Sequence, residues 1–211
     1  MKISGSFLTI QDDQNKIAKL NEVTDYMHFD VMDGKFTSRP TLPFKEIIDK
    51  TTNVTNSKDI HLMVIDIKKY VDEVIKVKPE YITFHIEATS DPADIIKYIK
   101  NKDVKVGLAL NPETETQTIY KYLNQVDLVL VMSVHPGAGG QKFIDITSKI
   151  KDLKKYREAN NLNYIIEIDG GINDETIKKV KDADLVVVGS YITNHDNFKA
   201  QVNNLRRSLN E

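Results

Sequence analysis

Cysteine is absent from the 211 residues, which excludes a disulfide framework, a thiolate metal site and a cysteine nucleophile. Any metal in this chain must therefore be held by imidazole and carboxylate. Proline and glycine are sparse, at six and nine residues, and no Pro/Gly/Ser-rich stretch or shift in composition marks a linker. One domain over residues 1–211 is expected for a chain of this length. Neither sign of charge dominates: 29 Lys+Arg against 31 Asp+Glu leave a formal net charge of −2. Without a basic block there is no footprint for a phosphate backbone, so nucleic acid is not an expected partner. No apolar run approaches the ~18 residues of a membrane span, and Lys2-Ile3-Ser4-Gly5 lacks the basic-then-apolar order of a leader. A cytoplasmic protein with no membrane partner is the expectation.

What is present is a rhythm. Short apolar runs alternate with longer, Lys-rich amphipathic segments, the signature of βα units around a parallel sheet. Strands are expected near Lys2–Leu8, Tyr26–Val31, Lys58–Val64, Tyr81–Ile86, Val104–Leu110, Leu128–Ser133, Tyr164–Ile168 and Leu185–Val188. Helices are expected over Asp66–Lys76, Pro92–Asn101, Thr114–Asn124, Thr147–Asn160, Asp174–Lys181 and the tail from His195. Runs such as Leu128-Val129-Leu130-Val131-Met132 are apolar at every position, as strands covered on both faces must be. Eight such units favour a closed (β/α)8 TIM barrel, an α/β fold, over an open sheet. The second unit carries a long connection, Asp33 to about Thr41, with Arg39 and Pro40 inside it.

In a parallel barrel the strand C-termini share one rim, where catalytic groups gather. His28 and Asp30 are two positions apart and so share a face at the end of the second strand. Taken alone such a pair is more often a buried hydrogen-bonded couple. His61 lies late in the third strand, and Asp169 ends the seventh. Individually, His61 reads equally as a core histidine and Asp169 as a cap. Together they are two imidazoles and two carboxylates on one rim, a set able to enclose one divalent ion: Zn, Fe, Mn or Co. Gly137-Ala138-Gly139-Gly140, Gly170-Gly171 and Gly189-Ser190 follow three consecutive strands, where glycines free backbone N–H groups for a phosphate.

The chain resembles the ribulose-phosphate 3-epimerase family over nearly its whole length. The resemblance rests on His28-Phe29-Asp30-Val31-Met32-Asp33-Gly34, Asp59-Ile60-His61-Leu62-Met63-Val64, Ile82-Thr83-Phe84-His85-Ile86-Glu87-Ala88 and Gly107 through Thr114. It continues through Val131-Met132-Ser133-Val134-His135-Pro136-Gly137, Gln141-Lys142-Phe143-Ile144, Glu167-Ile168-Asp169-Gly170-Gly171-Ile172 and Val188-Gly189-Ser190. It implies a metal-dependent barrel that interconverts D-ribulose 5-phosphate and D-xylulose 5-phosphate in the pentose phosphate pathway, as a homo-oligomer. His28, Asp30, His61 and Asp169 would hold the metal, and Asp30 and Asp169 would be the two acid/base groups. Ser6, His61, Met32, Met63 and Met132 would contact the phosphorylated ketose, with Gly137, Ala138, Gly139, Gly140, Gly170, Gly171, Gly189 and Ser190 around its polar end. Inverting a carbon beside a ketone needs proton removal from one face and return to the other, hence two bases flanking an enediolate.

The chain departs from the family pattern in four places. Gly5-Ser6-Phe7-Leu8-Thr9-Ile10-Gln11 keeps only the serine and leucine of the usual first loop. Thr37-Ser38-Arg39 replaces Val-Pro-Asn, Ala138 stands where Phe is usual, and His135 where Asn or an acid is common. These changes leave open another phosphorylated ketose, such as allulose 6-phosphate, or a non-catalytic sugar-phosphate-binding paralogue. Asp33 is expected to organise a turn with Gly34, and His85 to be structural.

Overall fold

The computed structural model describes residues 1–210. Eight parallel strands run β1 (Lys2–Ser6), β2 (Tyr26–Met32), β3 (Ser57–Met63), β4 (Tyr81–His85), β5 (Lys105–Leu110), β6 (Leu128–Met132), β7 (Ile165–Asp169) and β8 (Leu185–Val188), closing in sequence order into a barrel. Closure is made by β8 on β1, from Lys2 opposite Leu185 to Gly5 opposite Val188. The α-helices are α1 (Gln14–Val23), α2 (Phe44–Lys50), α3 (Ile67–Val74), α4 (Pro92–Lys100), α5 (Thr147–Ala159), α6 (Ser190–Thr193) and α7 (Phe198–Ser208). The expected (β/α)8 barrel is the fold found.

The alternation of each strand sorts its residues between two cores. In β6, Val129 and Val131 join the large apolar shell shared with the helices, while Leu128, Leu130 and Met132 join a smaller inner cluster with Tyr26, Tyr81, Ala109 and Leu185. Polar residues are buried as well, among them Ser4, His28, Asp59, His61, Thr83, His85 and Glu167. Gly107 is required where β5 passes β4, since a Cβ there would lie 2.0 Å from Thr83 Oγ1.

Two expected α-helices are instead 3-10 segments, Thr116–Tyr122 and Thr176–Val180. Their buried residues are Thr116, Ile119 and Tyr122 in the first, and Ile177 and Val180 in the second. That spacing is three, the period of the tighter helix. The first strand stops at Ser6 rather than Leu8, because Leu8–Ile10 turn over the barrel end as a 3-10 turn. Helices α1 and α2 were not among the expected elements. The first does carry a sequence signal: Asp13 accepts the Lys16 amide at its start, an N-cap.

After β2 the chain turns at Gly34, whose φ of +70° suits glycine. Asp33 Oδ1 accepts the amides of Lys35 (2.8 Å) and Phe36 (2.9 Å), and Oδ2 accepts that of Ile65 (2.8 Å). Asp33 thus organises the turn, as expected, and also ties it to the loop after β3. The long connection returns through a bridge between Asp33 and Pro40, which brings buried Thr37 against the loop that follows β6.

Candidate active site

The C-terminal ends of β2, β3 and β7 bring His28, Asp30, His61 and Asp169 together, with one ligand atom of each within 4.8 Å of the others. His28 Nε2 lies 3.4 Å from Asp30 Oδ1 and 4.0 Å from Asp169 Oδ2. His61 Nδ1 lies 3.4 Å from the same Asp30 oxygen and 3.7 Å from the same Asp169 oxygen. Both nitrogens are buried without a hydrogen-bond partner, an arrangement that needs an explanation. The separations are long for hydrogen bonds but suit donors roughly 2 Å from one shared centre. Two imidazole nitrogens and two carboxylate oxygens fit a divalent cation on both count and chemistry.

Electrostatics point the same way. Burial pushes Asp30 up, but the imidazoles of His28 and His61 outweigh it and hold the carboxyl far below its usual range. Burial lowers His28, yet the charges of Asp59 and Asp30 dominate and raise it well above the usual imidazole value. Burial, followed by repulsion from Asp30 and Asp59, pushes Asp169 up to about 7 against the pull of His28. This cluster calls for positive charge, and a bound cation would favour the ionised carboxylates and the neutral imidazoles.

Each histidine is oriented from behind. His28 Nδ1 donates to Asp59 Oδ2 at 2.6 Å, which leaves Nε2 aimed at the centre. Ser4 Oγ also donates to Asp59 (3.1 Å), and Glu167 lies in the same buried group. Burial, reinforced by the Asp59 charge, drives Glu167 well above the ordinary carboxyl range. His61 Nε2 lies 2.8 Å from His85 Nε2, so His85 has a place in the site that its sequence reading as structural did not give it. Ser6 Oγ donates to Asp30 Oδ2 at 2.9 Å.

Above these groups opens a cleft whose floor holds Asp30, Asp169 and Ser6, with Met63 and Met132 on its wall. Gly137, Ala138, Gly139, Gly140, Gly170, Gly171, Gly189 and Ser190 line it as well. Met32 is buried but lies off the cleft wall, and His28 and His61 sit beneath it, fully buried. The glycine loops fit closely: a Cβ on Gly171 would lie 2.6 Å from the Phe143 amide nitrogen, and its φ is +60°. Ser133 Oγ bonds the carbonyls of Asp169 (3.0 Å) and Gly170 (2.6 Å), fixing β6 to β7 where the carboxylate emerges. His135 stands at the edge of the cleft, its Nε2 3.3 Å from Glu113 with both side chains exposed. Sequence reasoning passed over Asp59 and Glu87, although both lie inside blocks that carry the resemblance.

The sequence model of the ribulose-phosphate 3-epimerase family matches residues 2–193. The chain belongs to that family. Among curated proteins, the ribulose-phosphate 3-epimerase of Helicobacter pylori is 34% identical, covering 99% of this chain and all of that protein. The ribulose-phosphate 3-epimerase of Bacillus subtilis is 37% identical over 87% of each chain. Among solved structures, a 3-hexulose-6-phosphate synthase matches with a TM-score of 0.69 at 16% identity, over 99% of both chains. At that identity the likeness establishes the barrel alone. Membership of the ribulose-phosphate 3-epimerase family makes the chain an isomerase of the racemase and epimerase class, with a phosphorylated sugar as substrate. Among the described residues no helix is long and apolar enough to cross a membrane.

Proposed function

We infer that this chain inverts C3 of D-ribulose 5-phosphate to give D-xylulose 5-phosphate, with Asp30 and Asp169 as the two acid/base groups. The observation that carries the reading is the placing of these carboxylates. They arise from β2 and β7, are both open to the cleft, and share the two partnerless imidazole nitrogens. One carboxylate takes the C3 proton from one face of the sugar, and the other delivers a proton to the opposite face. Ser6 holds Asp30 by its second oxygen, fixing the direction of the first. Met63 and Met132 keep water from the intermediate, and the glycine loops after β6, β7 and β8 admit the phosphate to the backbone.

His28, Asp30, His61 and Asp169 would hold one divalent ion. When bound, it supplies Lewis-acid stabilisation of the negative charge that develops on the sugar oxygens.

The test is solvent exchange. With a divalent ion restored, ribulose 5-phosphate in deuterium oxide should gain deuterium at C3 as xylulose 5-phosphate accumulates. No exchange overturns the reading. A higher kcat/KM for allulose 6-phosphate would move it to that sugar, and binding without turnover would make the chain a non-catalytic paralogue. A homo-oligomer belongs to the same reading, and sedimentation checks it.

A further inference from the structure

We propose that Glu87 is a positioning residue of the metal centre, which acts through His85 to hold His61 in the one tautomer able to bind a cation. The inference rests on the metal site proposed above and adds to it a residue from outside the four-ligand set.

His61 presents Nδ1 to the centre, and a cation needs the lone pair there, so the ring proton must sit on Nε2. That N–H meets His85 Nε2 at 2.8 Å, and His85 must accept with a bare nitrogen. A neutral His85 then carries its own proton on Nδ1, which lies 3.2 Å from Glu87 Oε2. His85 is fully buried between His61 and Glu87, so each of its ring nitrogens has a single partner.

Glu87 closes the chain because a carboxylate only accepts. Its other oxygen receives the Asn111 amide (2.8 Å) and the Thr114 hydroxyl. Burial pushes Glu87 up, but the bonds from His85, Thr114 and the Asn111 amide outweigh it and keep the group ionised. The opposite tautomer would put the bare Nδ1 of His85 against that carboxylate, lone pair facing lone pair, and would leave a proton where the cation belongs. Both imidazoles are fully buried, and the Phe36 ring covers His85 at 4.8 Å between centroids. No competing donor from solvent blurs the choice. His28 obtains the same orientation directly from Asp59, whereas His61 obtains it across two strands and a loop.

Metal binding and proton position, not turnover, test this. Zn²⁺ affinity is measured by competition with a chelating indicator for the wild type, Glu87→Ala and Glu87→Gln, together with the melting temperature of each metal-free protein. Glu87→Ala should bind Zn²⁺ about 10–100-fold more weakly, the usual effect of removing a group that orients a metal ligand. Glu87→Gln, which can still accept from His85, should fall between. In Zn²⁺-loaded wild type, nitrogen-15 imidazole shifts should show His85 protonated at Nδ1 and His61 at Nε2. Equal affinity in wild type and Glu87→Ala overturns the proposal, and so does a lowered melting temperature with unchanged affinity, which would mean loop support alone. His85 protonated at Nε2 in the wild type overturns it without any variant. Failure of the wild type to bind any divalent ion would instead remove the metal site of the functional reading.

Discussion

The barrel interior has two unlike halves. From β1 to β4 and from β7 it is built of Ser4, His28, Asp59, His61, Thr83, His85 and Glu167, all buried. From β5, β6 and β8 it is built of Ala109, Leu128, Leu130, Met132 and Leu185, joined at the N-terminal ends of β2 and β4 by Tyr26 and Tyr81. In the polar half a buried charge has partners; in the apolar half it would have none, at a cost of several kcal/mol. The asymmetry therefore fixes where a cation can rest. It also leaves a dry wall facing the ligands, so electrostatic interactions at the site act in a low dielectric. Asp169 is a polar-half residue on β7, the strand whose Glu167 pairs directly with Leu130 of β6, so it emerges at the seam between the halves.

Removing the charge at the seam should have the largest effect. Asp169→Asn keeps the shape but loses a base and an anionic ligand. Its kcat for C3 exchange should fall about 10²–10⁴-fold, the usual share of a general acid or base and roughly 3–5 kcal/mol of barrier. A rate within a few-fold of wild type would deny the seam its catalytic role. Leu130→Ala tests the apolar half: Leu130 is fully buried, and its truncation should destabilise the fold by about 3 kcal/mol in urea denaturation. Because Leu130 is not one of the proposed ligands, Zn²⁺ affinity should stay within a few-fold of wild type. A large loss of affinity would mean the halves are not separable.

These two halves were unequally legible. His28 and Asp30 could be read from sequence because the strand period alone puts them on one face. His61 and Asp169 could be read because parallel strands share a rim. Asp59 and the His61–His85–Glu87 chain could not, since they depend on register between strands. His61 pairs with Thr83, and His85 with Ala109, and no periodicity within one strand reveals which neighbour a side chain meets. The two 3-10 segments were missed for a different reason. With only Thr116, Ile119 and Tyr122, or Ile177 and Val180, turned inward, apolar spacings of three suit either helix over so short a run.

Stripping the metal should act on the polar half alone. With a divalent ion present at 100 times its dissociation constant, the folded state gains about 2.7 kcal/mol. A chelator should remove that gain, read as a lowered melting temperature. Asp169→Asn, lacking one of the two anionic donors, should show a much smaller difference between chelated and metal-loaded samples. An equal difference in both proteins would place the stabilising ion elsewhere.

Asp33 supplies the smallest effect and a control, being a carboxylate of the rim that belongs to neither half. Burial, the largest single influence, raises its pKa, but the amides of Ile65, Phe36 and Lys35 together outweigh it and set the pKa below the ordinary 3.8. A group whose pKa is lowered by folding stabilises the protein above its unfolded pKa, and that contribution fades as pH falls through the folded value. Asp33→Asn should therefore cost about 1 kcal/mol near neutral pH, after allowance for solvent screening at a partly exposed site. Denaturation curves for the two proteins should begin to converge as pH drops below 3.8 and meet only below the lower value of the folded state. A gap that persisted there would mean the loop depends on the shape of Asp33 and not on its charge. The contrast between a charge used to hold a loop and charges used to hold a cation would then have to rest on Asp30 and Asp169 alone.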